Sequence, residues 1–166
     1  MSYEQVLKEV MVFSKEAHKG QMYGDKDYYQ YHILGVCNEL IYGLTESNIS
    51  MTPLYTITAL LHDTLEDTNT TVADIKVLLN SIDYISMCNV LCALDCLTKR
   101  SGESRKENVN RIIKDGSRIA MLVKYYDSLF NYNCSKYDYD RKDMARQYKW
   151  NCDTLKHELK LWGVML

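Results

Sequence analysis

The chain has 166 residues, 46% of them apolar and 25% charged, with a net charge of -2. That length suits a single domain, residues 1–166, with a core of its own, and the near-neutral charge excludes a global pull toward nucleic acid or an anionic membrane. No apolar run approaches the roughly 20 residues needed to span a bilayer, and the polar start Met1-Ser2-Tyr3-Glu4-Gln5 lacks the basic and apolar regions of a signal peptide, so a cytoplasmic location is expected.

The apolar spacing is helical nearly throughout. Ser2-x-x-Gln5 reads as a capping box, followed by Val6, Leu7, Val10 and Met11 on one face of a first helix that fades near Gly20. Gln21 to Tyr31 is polar and tyrosine-rich and reads as a loop. A second helix is expected from about His32 to Leu40, with Gly43 as its stop. Thr52-Pro53 opens a third, with threonine as cap and proline in the first turn. It carries Leu54, Ile57, Leu60 and Leu61 and runs into His62-Asp63. Thr71 caps a further start. Helices are expected over Ile82 to Leu97, Glu107 to Lys114, Ile119 to Tyr132 and Arg141 to Leu161, with a basic loop from Lys99 to Arg105. No segment alternates convincingly with period two, so the expected fold is all-α, with no sheet.

The chain holds six cysteines and no CxxC pair, which argues against a zinc knuckle. Cys88, Cys92 and Cys96 form one helical stripe, and all six are expected to be reduced, small core residues. Most of the 14 tyrosines read as amphipathic filler at the rim of the core.

The chemistry concentrates in Ala59-Leu60-Leu61-His62-Asp63-Thr64-Leu65-Glu66-Asp67-Thr68. In a helix His62 and Glu66 are four apart, as are Asp63 and Asp67, so each pair shares a face. An apolar helix ending in such a cluster is costly unless a cation compensates the charge. His62 and Asp63 can hold a metal, while Glu66 and Asp67 handle a water. Further ligands must come from other helices. His32 beside the polar loop is one candidate, and Asp127, an acid inside an apolar helix, is another. Two imidazoles and two carboxylates suit manganese, iron, cobalt or zinc without choosing among them. A divalent ion there would acidify a water to a nucleophile near neutral pH, and Glu66 and Asp67 would orient it or take its proton. Asn131 lies one turn beyond Asp127. For the phosphates of a substrate, Lys99 and Arg100 are the best candidates, with Lys124 as another.

His32, His62-Asp63 and Asp127 follow the H…HD…D order of HD-domain phosphohydrolases. Ala17-His18-Lys19-Gly20-Gln21, Tyr29-x-x-His32, the HD-Thr-Leu-Glu-Asp run and Leu122-Val123-Lys124-x-x-Asp127-x-x-x-Asn131 resemble the hydrolase domain of RelA/SpoT homologues, of the small stand-alone type. The resemblance implies a helical fold, a place in alarmone (stringent-response) chemistry and removal of the 3'-pyrophosphate from (p)ppGpp, giving GDP or GTP and pyrophosphate. It implies His32, His62, Asp63 and Asp127 as metal ligands and Glu66 and Asp67 as the pair that handles the water. Asn131, Lys99 and Tyr148 fall at or near positions that contact nucleotide. One divalent metal is implied, Mn2+ first, with Zn2+ or Fe2+ as the others. His18 helps shape the pocket in this family. The implied partner is a nucleotide, with no nucleic acid and no membrane, and a homo-oligomer is compatible with the sequence.

The loop before His32 departs from the family. Tyr23 and Gly24 stand where a basic pair stacks on guanine. Tyr23 can stack on a base, but without the cationic share of that contact. Two alternatives follow: the same site acting on NADPH or a nucleotide other than (p)ppGpp, and a non-catalytic nucleotide-binding module.

Overall fold

The computed structural model describes residues 2–50, 52–138 and 141–166. Its helices are α1 (Tyr3–Ala17), α2 (Leu34–Glu46), α3 (Pro53–Leu61), the short α4 (Thr64–Asp67), α5 (Val72–Leu78), α6 (Tyr84–Leu97), α7 (Arg105–Asp115), α8 (Arg118–Asn133) and α9 (Lys142–Leu161). The fold is all-helical, as the apolar spacing predicts. Several starts follow their caps, although the Thr52 side chain makes no cap hydrogen bond and Ser2 caps α1 without a return bond from the Gln5 side chain. The side chains of Ser2, Asp83 and Ser117 each accept a first-turn amide, and Thr71 with Asp74 and Ser104 with Glu107 form complete capping boxes. No helix among the described residues is long and apolar enough to cross a membrane.

Helices α3 and α8 form the centre. Residues 57–61 of α3 are all buried, and α8 buries Ala120 to Val123 and Tyr125 to Ser128. Around them α2, α6, α7 and α9 pack on α8, and α1, α2 and α6 on α3. Each fully buried Leu, Ile, Val or Met is worth about 1.5–3 kcal/mol of transfer free energy. The buried cluster built from these helices is what fixes Asp127, on α8, against the end of α3.

Four local expectations change. Part of the polar stretch from Gln21 to Tyr31 forms a two-stranded antiparallel hairpin, β1 (Met22–Tyr23) with β2 (Lys26–Asp27), where no sheet is expected. It turns at Gly24, whose φ of +64° suits glycine. Two-residue strands are too short for alternation to register. Second, α2 continues past Gly43 to Glu46. Gly43 is there for close approach, because a Cβ would lie 2.0 Å from the Tyr126 hydroxyl. Third, the helix through His62 is not continuous: α3 ends at Leu61 and α4 starts at Thr64. Fourth, Cys37, Cys134 and Cys152 are buried, but Cys92 is exposed and Cys88 and Cys96 are half-buried. Those three line an open apolar groove of about 740 Å³ between α5, α6 and α7, and of them Cys96 also packs against the core. All six cysteines are free.

Candidate active site

The break after Leu61 builds the centre. The last turn of a helix leaves carbonyls without intrahelical donors. Here three are answered by side chains. His62 Nδ1 lies 2.7 Å from the Ala59 oxygen, Ser14 Oγ of α1 donates to Leu60 at 2.6 Å, and Thr64 Oγ1 donates to Leu61 at 2.7 Å. The chain can therefore leave the helix in a buried setting. Asp63 still accepts the Asp67 amide through its carbonyl at 2.8 Å, so Asp63 and Asp67 stay one turn apart.

His32 arrives from a different device. A π-helical turn, Tyr29–Ile33, runs directly into α2 and buries Tyr29, His32 and Ile33. Such single turns recur at functional sites because the extra residue re-aims a side chain. The His32 ring stacks on Tyr23 of the hairpin (centroids 5.2 Å apart, planes at 10°) and meets the edge of Phe130 from α8 at 5.4 Å.

Four donor atoms converge. Asp63 Oδ2 lies 3.2 Å from His32 Nε2 and 2.9 Å from His62 Nε2; Asp127 Oδ1 lies 3.6 Å and 3.9 Å from the same nitrogens. Atoms bonded at about 2.1 Å to one ion stand about 3 Å apart at right angles and about 4.2 Å apart when opposite. The separations among His32, His62 and Asp63 fit one small divalent cation, and Asp127 Oδ1 lies beside that grouping. His62 supplies the sharper indication. Its Nδ1–H is given to Ala59, which turns the buried Nε2 toward the Asp63 and Asp127 carboxylates, the nitrogen available to an ion once it is deprotonated. The end of α3 adds its negative dipole there. His32, His62 and Asp63 alone form a grouping able to ligate a metal. The residues present fit the ion that the sequence implies.

The charges agree. Burial disfavours an imidazolium at His62, yet the Asp63 and Asp127 carboxylates and the Ala59 carbonyl outweigh it and push its pKa up to about 9. Burial likewise opposes the Asp63 carboxylate, but the two histidines hold it well below the usual range. Asp67 is pushed up by burial and by the neighbouring Asp63 and Glu66 charges. A carboxyl so raised is a better proton acceptor than an ordinary aspartate. Glu66 is held differently: its carboxylate accepts the Lys99 amide at 2.8 Å.

A pocket of about 250 Å³ opens over this centre, lined among others by Tyr23, Glu66, Asp67, Lys99, Lys124 and Tyr148. It abuts a second hollow of about 260 Å³ that shares Tyr23, Arg105, Asn131 and Tyr148 and adds Met22, Met144 and Arg141. The structure brings His32, His62, Asp63, Asp127, Glu66, Asp67, Asn131, Tyr23, Lys99, Lys124 and Tyr148 together, and leaves Arg100 apart. Asn131 hydrogen-bonds Asp127 and accepts from the Tyr23 hydroxyl at 2.7 Å. Lys124 pairs with Asp127 Oδ2 at 2.9 Å. His18 is fully buried, with Nδ1 2.6 Å from Gln21 Oε1.

Arg100 is a correction to the expected phosphate contacts. It pairs with Asp95 at 2.7 Å and lines the groove beside α6, which shares no lining residue with this pocket. Arg105 takes its place, 5.4 Å from the Tyr148 ring. The capping box Ser104-x-x-Glu107 was the signal available for it, since it makes Arg105 the first residue of α7 and fixes its direction. Tyr28 was also missed. Its hydroxyl donates to Asp63 Oδ2 at 2.7 Å.

No protein-family model matches this chain, and no curated protein does. Among solved structures the fold is similar to that of a metazoan orthologue of SpoT, described as hydrolysing ppGpp and playing a role in starvation responses. The TM-score is 0.64 over 92% of this chain and 94% of that one, at 18% sequence identity. This likeness establishes a shared helical fold, the one that the H…HD…D resemblance implies.

Proposed function

We propose that this protein is a divalent-metal-dependent phosphohydrolase that removes the 3'-pyrophosphate from (p)ppGpp, releasing GDP or GTP and pyrophosphate. The observation that carries the reading is the convergence of His32, His62, Asp63 and Asp127 beneath a pocket lined by both acids and cations. A divalent ion held there, manganese first, would supply Lewis-acid charge to the phosphoryl group and acidify the attacking water.

The chain's own residues do the rest. Asp67, with its raised proton affinity, takes the proton of the water as its oxygen attacks the phosphorus on the 3'-oxygen. Glu66, anchored on the Lys99 amide, orients that water. The bond from phosphorus to the 3'-oxygen breaks, and the ribose oxygen leaves with a proton from solvent. Lys99, Arg105 and Lys124 are the cations lining the pocket, and they hold the phosphate charge. The adjoining hollow, walled by Tyr23, Tyr148, Met22 and Met144, takes the nucleoside.

A second reading, NADPH or a nucleotide other than (p)ppGpp, is favoured by one observation. The hairpin offers a tyrosine, already hydrogen-bonded to Asn131, where a basic pair is expected against guanine. Comparing kcat/KM across ppGpp, pppGpp, other 3'-phosphorylated nucleotides and NADPH separates the two. A preference of tenfold or more for (p)ppGpp supports the first reading; a preference for another nucleotide replaces it.

A further inference from the structure

The segment from His18 to Tyr28 forms a closed bracket around Asp67. The Gln21 amide donates to the His18 carbonyl at 3.0 Å, and the Tyr28 amide donates to the Gln21 carbonyl at 3.0 Å. The Gln21 side chain takes His18 Nδ1 on its oxygen and gives its N–H to the Asp67 carbonyl. The His18 and Tyr28 rings stack, with centroids 5.2 Å apart and planes at 28°. The stacked Tyr28 ring carries its hydroxyl to two carboxylates. The hydroxyl lies 2.7 Å from Asp63 Oδ2 and 3.3 Å from Asp67 Oδ2.

A metal-ligating carboxylate and a water-handling carboxylate repel each other. Both also need a fixed orientation, since small displacements of reacting groups are expensive. One phenol in contact with both fixes their separation without adding a charge. Gln21 meanwhile holds the Asp67 backbone, so carboxylate and main chain are gripped from one segment.

We propose that Tyr28 is a positioning residue that couples the metal ligand Asp63 to the acid Asp67. The proposal rests on the metal-dependent reading of the site, but its test does not depend on the substrate. Tyr28→Phe keeps the ring stacked on His18 and removes only the hydroxyl. In the cobalt(II)-loaded protein this variant is expected to shift the visible absorption spectrum, because the carboxylate of Asp63 loses a hydrogen bond. With ppGpp, kcat is expected to fall about 10- to 100-fold, as for other partners of metal ligands, while KM stays within about twofold. The kcat losses of Tyr28→Phe and Asp67→Asn are expected to be non-additive, the double variant being no worse than the more damaged single one. A purely structural role would lower the melting temperature and leave spectrum and cycle unchanged. Coincident cobalt spectra, or additive losses, overturn the proposal. If the wild type turns over no ppGpp, the substrate reading has failed, and the spectral comparison alone decides for or against Tyr28.

Discussion

His62 Nδ1 lies 2.7 Å from the carbonyl oxygen of Ala59, one turn earlier at the end of α3. The helix end that would carry an orphan carbonyl instead fixes the imidazole, with Nε2 toward Asp63 and Asp127. The same arrangement fixes how the site responds to pH. With no ion bound, His62 is an imidazolium at neutral pH, since its pKa stands at about 9. A histidine must be neutral to ligate a metal. Metal binding at pH 7 is therefore expected to release about one proton, and affinity is expected to rise with pH until about 9. Titration calorimetry of the metal-stripped protein in buffers of different ionisation enthalpy checks the proton count.

Stability of the metal-free protein follows the same group. The His62 pKa is raised above its ordinary 6.5, so its contribution is fully present below that value and is lost as pH rises through about 9. Asp63 works in the opposite direction. Its pKa is lowered below the ordinary 3.8, so its contribution is present above that value and is lost as pH falls through the depressed pKa. The melting temperature of the stripped protein is expected to fall between pH 7 and pH 9, and the metal-loaded protein is expected to fall less. Paired melts across that range check it.

Asp63→Ala removes a ligand that touches both histidines. It is expected to abolish tight metal binding and turnover together. Glu66→Gln leaves the four proposed ligands in place and is expected to keep the metal while kcat falls about 10²- to 10⁴-fold. Metal analysis of the purified variants beside initial rates tests the division of labour.

Two glycines on α2 bear on the site through α8. A Cβ on Gly43 would lie 2.0 Å from the Tyr126 hydroxyl, and one on Gly35 would lie 2.3 Å from a ring carbon of Phe130. Overpacking of this kind costs about 1–3 kcal/mol, so both Gly43→Ala and Gly35→Ala are expected to lower stability in urea. Of these two rings, Phe130 is the one that meets His32. Gly35→Ala is therefore expected to weaken metal binding, with Gly43→Ala leaving it near the wild-type value.

Arg105→Ala is expected to raise KM at least about tenfold with a smaller change in kcat, as for a lost charge-assisted phosphate contact of about 1.5–3 kcal/mol. Arg100→Ala, on the other face, is expected to leave both near wild type. Steady-state kinetics on the pair distinguishes the cation that lines the site from its neighbour in the basic loop.

Helices were readable from apolar spacing and from caps that are local: Thr71 and Asp74 satisfy each other's backbone donors whatever surrounds them. The candidate ligands stood out because metal chemistry restricts residue type and because His62-Asp63 ends an apolar run. The hairpin was not, since two-residue strands have no period to detect. Gly43 was misread as a stop because its reason lies across the fold, in the Tyr126 hydroxyl. The stripe of Cys88, Cys92 and Cys96 has helical spacing whether or not another helix covers it, and here none of the described residues closes the groove over it. Tyr28 was hidden for the same reason. A tyrosine doublet in a polar stretch does not reveal that one ring faces His18 and its hydroxyl two carboxylates. Arg100 and Arg105 look alike in sequence, and only the start of α7 separates them.

The most direct test is product formation from ppGpp by metal-stripped protein, with and without added Mn2+. GDP and pyrophosphate formed only when the metal is restored is the predicted result. Absence of both products, in a sample shown to contain one Mn2+ per chain, would contradict the assignment of ppGpp as substrate.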